Sequence, residues 1–442
     1  MPETIATDAL SPPRARGPQI GIWISALLFF LMLFLPASYQ AIKAPLLALV
    51  LAMIALQALA HRGLQLHRTV VAWTMLMVFT GLVFMFRGAA HGAPGALKMG
   101  GVYALWPLVY LLLIAGAATP GALRMMVRVL VVATIAVGVY GASYIMYVVG
   151  VLPASLYIPL EQNQRIGFYQ GFVEINIDSI ASLLFLIPFL VSALMTWPRT
   201  EALIPRRWLW IALLSAIALA ALSARRALLL VALLSPVFAL LLRQLLPTAE
   251  KRASRRIVWQ FLLAAPLTIA GLWLALHFAF GVSLSPVVDM FRRGFAFQSY
   301  GRAVERKEMF LNLLAGWAKS PLLGSGQGAI APGWIRSQEQ PWAYELSYMA
   351  LLFHAGLLGF LVYTAGVGWI ITMALRIIRE GNRLGLCTLS VLVGSLCFLL
   401  ANAADPYLEK FDYMWVIFLP VALINVWLCS QRPSPLGHGA GS

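Results

Sequence analysis

The chain has 442 residues, of which 61% are hydrophobic and only 11% charged, and its formal net charge is +16. Such an apolar composition cannot give a chain of this length a water-compatible surface, so it excludes a soluble globular protein. The sequence therefore predicts an all-α, polytopic membrane protein.

Apolar stretches of membrane-crossing length recur along the whole chain. About 20 helical residues cross a hydrocarbon core of ~30 Å, because every backbone polar group must be satisfied inside the helix. On that criterion the sequence predicts about twelve transmembrane helices. Their approximate extents are 20–38, 43–60, 69–86, 97–117, 124–149, 174–196, 207–222, 227–246, 257–280, 344–374, 384–404 and 412–430.

These stretches divide the chain into four parts. Residues 1–281 contain the first nine transmembrane helices, and 282–343 form one large external loop with an amphipathic helix. Residues 344–430 contain the last three helices, and 431–442 form a tail. The loop is the one long charged interruption in the chain, so we expect chemistry to be located there.

The arginines and lysines predict the orientation of the bundle, because short cytoplasmic loops carry the positive excess. Arg14 and Arg16 precede the first span, and a basic run from Arg243 to Arg256 follows the eighth. Both termini are predicted to be cytoplasmic. The net charge is then mainly a signal for topology, and binding of nucleic acid is not expected.

Two acidic residues, Glu174 and Asp178, are predicted to open the sixth span one helical turn apart. Acidic groups in a spanning helix are costly and usually face the bundle interior or water. Asp178 is therefore a candidate for the wall of a substrate cleft.

Arg225 and Arg226 lie at the predicted external corner between the seventh and eighth spans. One interpretation is that they anchor the helix ends at the membrane interface. The positive-inside preference argues against two external arginines without a further reason. The alternative is a phosphate clamp, since a guanidinium matches phosphate oxygens with a planar fork of donors.

The external loop supplies further candidates. Arg302 begins a segment, Arg302 to Lys319, whose apolar residues recur at helical spacing, which is typical of an amphipathic helix on the outer leaflet. The run Pro321 to Gly328 has glycine at every second position near its end, but it lacks the Lys-Ser/Thr and the preceding strand of a nucleotide-binding loop. We interpret this run as a tight turn.

Glu345 lies where the tenth span begins. A carboxylate at this position would be stabilised as a helix cap. Alternatively, it would act as a general base towards a sugar hydroxyl. The three cysteines, Cys387, Cys397 and Cys429, fall within predicted spans without paired spacing, so no metal site is expected.

The order of these motifs resembles the O-antigen ligase and polymerase superfamily of bacterial inner-membrane glycosyltransferases, which implies a GT-C-like bundle. The matching pieces are Ser223 to Leu230, Gly301-Arg302, Pro321 to Gly328 and Gly356-Leu357-Leu358-Gly359, with a weaker match at Arg165. The resemblance implies a donor glycan on undecaprenyl pyrophosphate, transfer at the external face and no metal or other cofactor.

The resemblance also implies roles for particular residues. Arg225 and Arg302 would hold the donor pyrophosphate, where fixed guanidiniums stabilise the charge that grows on the leaving group. The remaining candidate substrate-binding residues are Arg226, Arg292, Arg293, Arg165, Asp178 and Arg336.

One departure from the family pattern bears on the reaction. Ligases of this superfamily carry a His-Asn pair where this chain has Glu345-Leu346. The absence of that histidine favours a polymerase, with Glu345 in the role of base as an inference from this chain. A ligase acting on lipid A core is the first alternative, and a transporter or flippase is the second. Membrane lipid and a chain-length regulator would be further partners.

Overall fold

A computed structural model describes residues 19–60, 64–148, 150–161, 164–169, 172–198, 203–223, 225–248, 302–335 and 338–431, with single positions between 251 and 278. The predicted ninth span is described only at those single positions. Arg292, Arg293 and Arg336 lie outside the described residues. For Arg165, Arg226 and Arg302 the backbone is described and the side chain is not.

The described part of the chain is almost entirely helical. Its α-helices are α1 (Gln19–Phe34), α2 (Gln40–Ala60), α3 (Arg68–Ala90), α4 (Ala96–Gly100), α5 (Trp106–Gly116), α6 (Pro120–Val148), α7 (Leu183–Thr196), α8 (Arg206–Leu222), α9 (Arg226–Arg243), α10 (Arg302–Ala318), α11 (Ser347–Arg379), α12 (Arg383–Asn402) and α13 (Trp415–Ser430). A π-helical turn, Gly101–Leu105, joins α4 to α5.

Seven helical segments in the described residues are long and apolar enough to cross a membrane, which confirms a membrane protein of the helical class. They are Gln40–Ala60, Arg68–Ala90, Ala96–Gly116, Pro120–Val148, Asp178–Thr196, Ser347–Arg379 and Arg383–Asn402. Ile20–Phe34, Ala227–Arg243 and Trp415–Ser430 are apolar but shorter. The count of about twelve spans stays a prediction.

The centre of the bundle is α7, in which every residue is buried. A helix that is hydrophobic all round requires apolar neighbours on all sides. It packs against α12, α9 and α8, and the main hydrophobic core extends outward from this group. The described helices therefore surround one apolar helix.

A short β-ribbon precedes α7 and corrects one prediction. Strands β1 (Arg165–Tyr169) and β2 (Phe172–Asn176) pair antiparallel, with Arg165 opposite Asn176. Glu174 therefore lies in a strand, and Asp178 opens a separate 3-10 turn that ends at Ser182. The two acidic residues are not one helical turn apart, because the polar sequence before Leu183 pairs as strands.

The connections gather at two opposite ends of the bundle. At one end, Lys43 contacts Asp412 and the Tyr413 hydroxyl donates to the carbonyl of Asp178. At the other end, the Asn425 side chain donates to the carbonyl of Gln65. The first group of connections is the one that the sequence predicts to be external, and we refer to it as the outer end.

The long helix α11 is interrupted near the outer end at Gly356, whose backbone angles are φ 61° and ψ −172°. The part after the break, 357–379, gives about 34 Å of helix, enough to cross a hydrocarbon core. A Cβ atom at Gly356 would lie 2.3 Å from the carbonyl oxygen of Leu322. Glycine is required here for both the positive φ and the close approach.

The segment 320–328 fills this break. The Ser325 N–H donates to the Phe353 carbonyl at 2.9 Å. The Gly326 N–H donates to the His354 carbonyl at the same distance. These carbonyls would otherwise be left without helical partners, so the segment restores the hydrogen bonding that the break removes.

The same segment is bound to α3 on its other side. The Gln327 N–H donates to the Phe84 carbonyl at 2.9 Å. The Arg87 guanidinium donates to the Gly324 carbonyl at 2.9 Å and to the Ser320 hydroxyl at 3.1 Å. The glycine-rich run is thus an extended brace between two helices, rather than only the tight turn that was predicted. We refer to residues 320–328 as the glycine brace.

Candidate functional site

The outer loop, residues 403–414, forms the centre of the candidate site. It joins α12 to α13 through two 3-10 turns, Tyr407–Glu409 and Phe411–Tyr413. Its backbone is held by the Asn402 side chain, which accepts a hydrogen bond from the Leu408 N–H at 3.0 Å. A short loop with fixed turns presents its side chains in defined directions.

Arg225 points towards this loop. It precedes α9 as the N-cap residue, and its backbone N–H lies 3.4 Å from the hydroxyl of the buried Ser223. Its guanidinium forms a hydrogen bond with Tyr407 and interacts electrostatically with the carboxyl group of Asp405 and the hydroxyl group of Tyr413. The arginine therefore contributes to a polar cluster and does more than anchor a helix end.

Glu345 forms an ion pair with an arginine and is not the N-cap residue of α11. Its Oε2 accepts a hydrogen bond from Arg306 Nε at 2.9 Å, and the helix that follows it has Leu346 at its N-cap without a side-chain cap. Arg306 lies in α10, one turn after position 302. The described contacts of Glu345 therefore include an ion pair with Arg306, and the N-cap position of the following helix belongs to Leu346.

Asp405 lies between these groups. Burial raises the pKa of its carboxyl group, and the negative charge of Glu345 raises it further, while Arg306 and Arg225 lower it. Tyr407 donates its hydroxyl to Asp405 Oδ2 at 3.2 Å. The site thus combines two guanidiniums with two carboxylates, one of which holds its proton more tightly than usual.

The outer loop is anchored by a buried ion pair. Lys43 Nζ lies 2.8 Å from Asp412 Oδ1, and both side chains are almost fully buried. The other oxygen of Asp412 accepts hydrogen bonds from Ala37 N at 2.8 Å and Gln40 Nε2 at 3.0 Å. Because the carboxylate and the ammonium group are both satisfied, the pair fixes the loop to the turn between α1 and α2.

A second carboxylate supports the predicted candidate Asp178. Glu161 accepts hydrogen bonds from Asp178 N at 2.6 Å and Ser179 N at 3.0 Å. Burial raises the pKa of Glu161, and these hydrogen bonds oppose that rise. Asp178 also acts electrostatically on Tyr413, so it borders the cluster, and Glu161 positions its backbone.

Sequence patterns alone do not indicate Asp405, Tyr407 or Arg306 as site residues. Asp405 lies in a short stretch between two predicted spans that contains further acidic residues, and this is the signal that the sequence offers. Arg306 is one of several charged residues of α10, and only the tertiary contact with Glu345 distinguishes it. Among the described residues, no group of three His, Cys, Asp or Glu side chains could hold a metal ion.

Comparison with known proteins adds no identification. No protein-family model matches the chain, and no curated protein matches it.

Proposed function

We propose that this protein is an inner-membrane polysaccharide polymerase that joins oligosaccharide repeats carried on undecaprenyl pyrophosphate. The proposal includes a GT-C-like bundle of about twelve spans with both termini in the cytoplasm. The observation that carries it is the meeting of Arg225 and Arg306 with Glu345 and Asp405 at the outer end of an apolar bundle. The motif order discussed above supports the same reaction.

Arg225 would bind the donor diphosphate. Its guanidinium is held by Tyr407 at a helix N-terminus, where the macrodipole also favours negative charge. The leaving diphosphate gains charge as its bond to the sugar breaks, and preorganised donors in a low-dielectric site stabilise that charge. Arg302 and Arg306 would contribute from α10.

We assign the role of general base to Asp405 in preference to Glu345. The Oε2 atom of Glu345 is already occupied by Arg306 Nε at 2.9 Å. Asp405 has a raised pKa, which increases its affinity for a proton. The acceptor hydroxyl would lose its proton to Asp405 while its oxygen bonds to the anomeric carbon, and the diphosphate would leave with the electron pair.

The test is elongation by the purified protein reconstituted with lipid-linked repeats. We expect Arg225→Ala to lower the rate about 100-fold, since removal of one charge-stabilising donor costs that much in comparable sites. The control is Arg207→Ala, an exposed arginine at the opposite end of the bundle. Parental rates in both Arg225→Ala and Arg302→Ala would overturn the proposed clamp.

The products separate a polymerase from a ligase. With lipid-linked repeats and lipid A core both present, a polymerase yields a ladder of glycan lengths on undecaprenyl pyrophosphate. A ligase yields glycan on lipid A core. Glycan on lipid A core without a ladder on undecaprenyl pyrophosphate would replace our proposal by the ligase alternative.

The break in α11 favours a transporter, because transporters often contain discontinuous helices. Such breaks bind substrate through freed backbone groups near the bilayer midplane. Here the freed carbonyls of Phe353 and His354 are occupied by the glycine brace. Transport by proteoliposomes without change in glycan length would favour that alternative.

A further inference from the structure

Residues 150–160 lie between α6 and the β-ribbon at the outer end of the bundle, and we refer to them as the apolar loop. Three of its large apolar side chains are strongly exposed: Val151 by 65%, Leu156 by 67% and Ile158 by 69%. No charged residue occurs between Arg128 and Glu161. An exposed loop that is rich in large apolar side chains and free of charge indicates an interaction surface.

The apolar loop is held in place by tyrosines. The Tyr140 hydroxyl group, in α6, accepts a hydrogen bond from the backbone N–H group of Leu160 at 3.0 Å. The ring of Tyr157 stacks on that of Tyr147 in α6, with 4.4 Å between the ring centroids. The loop is therefore fixed to α6, and the exposure of its other large side chains is a property of the fold rather than a lack of packing.

The exposed surface of α6 leads directly to the apolar loop. This helix is apolar and long enough to cross the membrane. Val132, Val139 and Met146 are all exposed, and their spacing of seven residues places them on one face of the helix. The N–H groups of Val151 and Leu152 both donate to the Met146 carbonyl at 2.9 Å. The loop therefore begins where the exposed face of α6 ends, and it continues that apolar surface.

The charges of α6 define the depth of the apolar loop in the membrane. Arg124 and Arg128 lie near the start of the helix, and arginine is costly within the hydrocarbon core. The uncharged remainder, 129–148, gives about 30 Å of helix, which matches the thickness of that core. Tyrosine is enriched in the interfacial layer, and Tyr144 and Tyr147 lie at this end of α6. The loop therefore begins at the outer edge of the hydrocarbon core.

We infer that the apolar loop inserts Val151, Leu156 and Ile158 into the lipid leaflet at the outer end, at the boundary between headgroups and acyl chains. At the depth set by α6, lipid is the neighbour of an exposed side chain, and transfer of apolar surface out of water drives the insertion. The insertion is shallow, because irregular backbone keeps its polar groups near water or headgroups. The partner of this surface is the phospholipid of the bilayer.

This inference goes beyond the proposed function and does not depend on it. The apolar loop leads into Glu161, whose carboxylate accepts hydrogen bonds from Asp178 N at 2.6 Å and Ser179 N at 3.0 Å. The Asp178 carbonyl in turn accepts a hydrogen bond from the Tyr413 hydroxyl at 3.1 Å. Through these contacts, the insertion fixes the height of the outer loop above the leaflet. The candidate site is then held at the level of the lipid headgroups.

Electron paramagnetic resonance of the full chain in phospholipid nanodiscs tests this depth. A nitroxide is attached at Leu156→Cys or Ile158→Cys. Its collisions with oxygen, which partitions into lipid, are compared with its collisions with a water-soluble nickel chelate. The background variant is Cys429→Ser, because the thiols of Cys387 and Cys397 are buried.

Two further labels calibrate the measurement. Val139→Cys lies on the exposed face of α6 within the hydrocarbon core, and Lys410→Cys is exposed on the outer loop. We expect the labels at 156 and 158 to favour oxygen, as the label at 139 does, and to lie about 5–10 Å into the headgroup boundary. The label at 410 is expected to favour the chelate.

The collision ratios distinguish three arrangements. Oxygen-favoured collisions at both 156 and 158 support the insertion. Preference for the chelate at either position, as at 410, would place the loop in water and overturn the inference. Protection from both reagents would mean that a second copy or another protein covers the loop, which also contradicts insertion into lipid.

A second measurement uses the chain without substitutions. Phospholipids that carry a photoreactive diazirine near the head of one acyl chain are incorporated into the nanodiscs, and the cross-linked peptides are identified by mass spectrometry. We expect adducts on residues 150–160 as well as on the exposed face of α6. Adducts on α6 without any on 150–160 would overturn the inference. Glycan elongation plays no part in either measurement, so failure of the proposed function leaves this test unaffected.

Discussion

The glycine brace and the outer loop are both irregular segments at the same end of the bundle, and they differ in which atoms they use. The brace acts through its backbone, which donates to the carbonyls of Phe353, His354 and Phe84. The outer loop acts through side chains, with Asp405 and Asp412 at opposite ends of it. A conspicuous motif therefore reflects close packing of backbones, while the chemistry that we propose is assigned to a less conspicuous turn.

The largest expected effect is on the elongation rate, and it comes from a substitution in the outer loop. We expect Asp405→Asn to lower elongation by about 10²- to 10⁴-fold, the usual contribution of a general base. The melting temperature should change little, since asparagine keeps the shape of the side chain. Elongation rates and thermal unfolding in detergent measure the two quantities.

Glu345→Gln is the matched variant for this prediction. It should lower the rate less than Asp405→Asn, because Glu345 is already held by Arg306. The reverse order would restore Glu345 as the base, as the sequence predicted.

A second prediction concerns the anchor of the outer loop. Lys43→Met would leave Asp412 buried without its cation, which costs about 3–5 kcal/mol in the free energy of unfolding. Unfolding in mixed micelles would measure the loss. The double variant Lys43→Met/Asp412→Leu should recover most of the stability, because an apolar pair of similar volume often replaces a buried ion pair.

The recovery in the double variant is the discriminating result. Stability as low as in Lys43→Met alone would mean that the pair stabilises the fold through contacts other than its charges. Elongation by the double variant then reports how far the anchor positions Asp405.

A third prediction concerns a substitution that should disrupt the glycine brace. Gly326 has φ 92°, and a Cβ atom there would lie 2.3 Å from the backbone nitrogen of Gly88. Gly326→Ala should therefore destabilise the protein by about 2–4 kcal/mol, through backbone strain and overpacking. Gly368→Ala, where a Cβ atom meets nothing within 4 Å, is the control and should be neutral or slightly stabilising. Equal unfolding free energies for the two variants would contradict a structural role for the brace.

The smallest predicted effect is a shift of the pH profile. Elongation should rise as pH increases through the pKa of Asp405, because only the deprotonated carboxylate accepts a proton. Burial and the negative charge of Glu345 both raise this pKa, so Glu345→Gln should move the acidic limb to lower pH. Rates measured across the acidic range would show the shift. A shift of the acidic limb to higher pH would mean that Arg306, rather than Glu345, is the neighbour with the larger influence on the pKa of Asp405.

Several parts of the fold were predictable from the sequence. Apolar length predicts the bounds of α1 to α6, α8, α9 and α11 to α13 to within about five residues, because a bilayer sets a minimum length for each span. The amphipathic spacing after Arg302 predicts α10, which ends at Ala318. Glu174 was misplaced, because local polarity does not distinguish the start of a helix from a paired strand.

The sequence by itself determined the class of the protein and which segments gather at the outer end, because hydropathy and charge act locally along the chain. Only the tertiary structure decided which charges meet. Arg306 lies 39 residues before Glu345, and Arg225 is still farther from Asp405 along the chain. Pairings at such separations depend on how the helices pack, and packing is set by shape complementarity over the whole core rather than by any one motif.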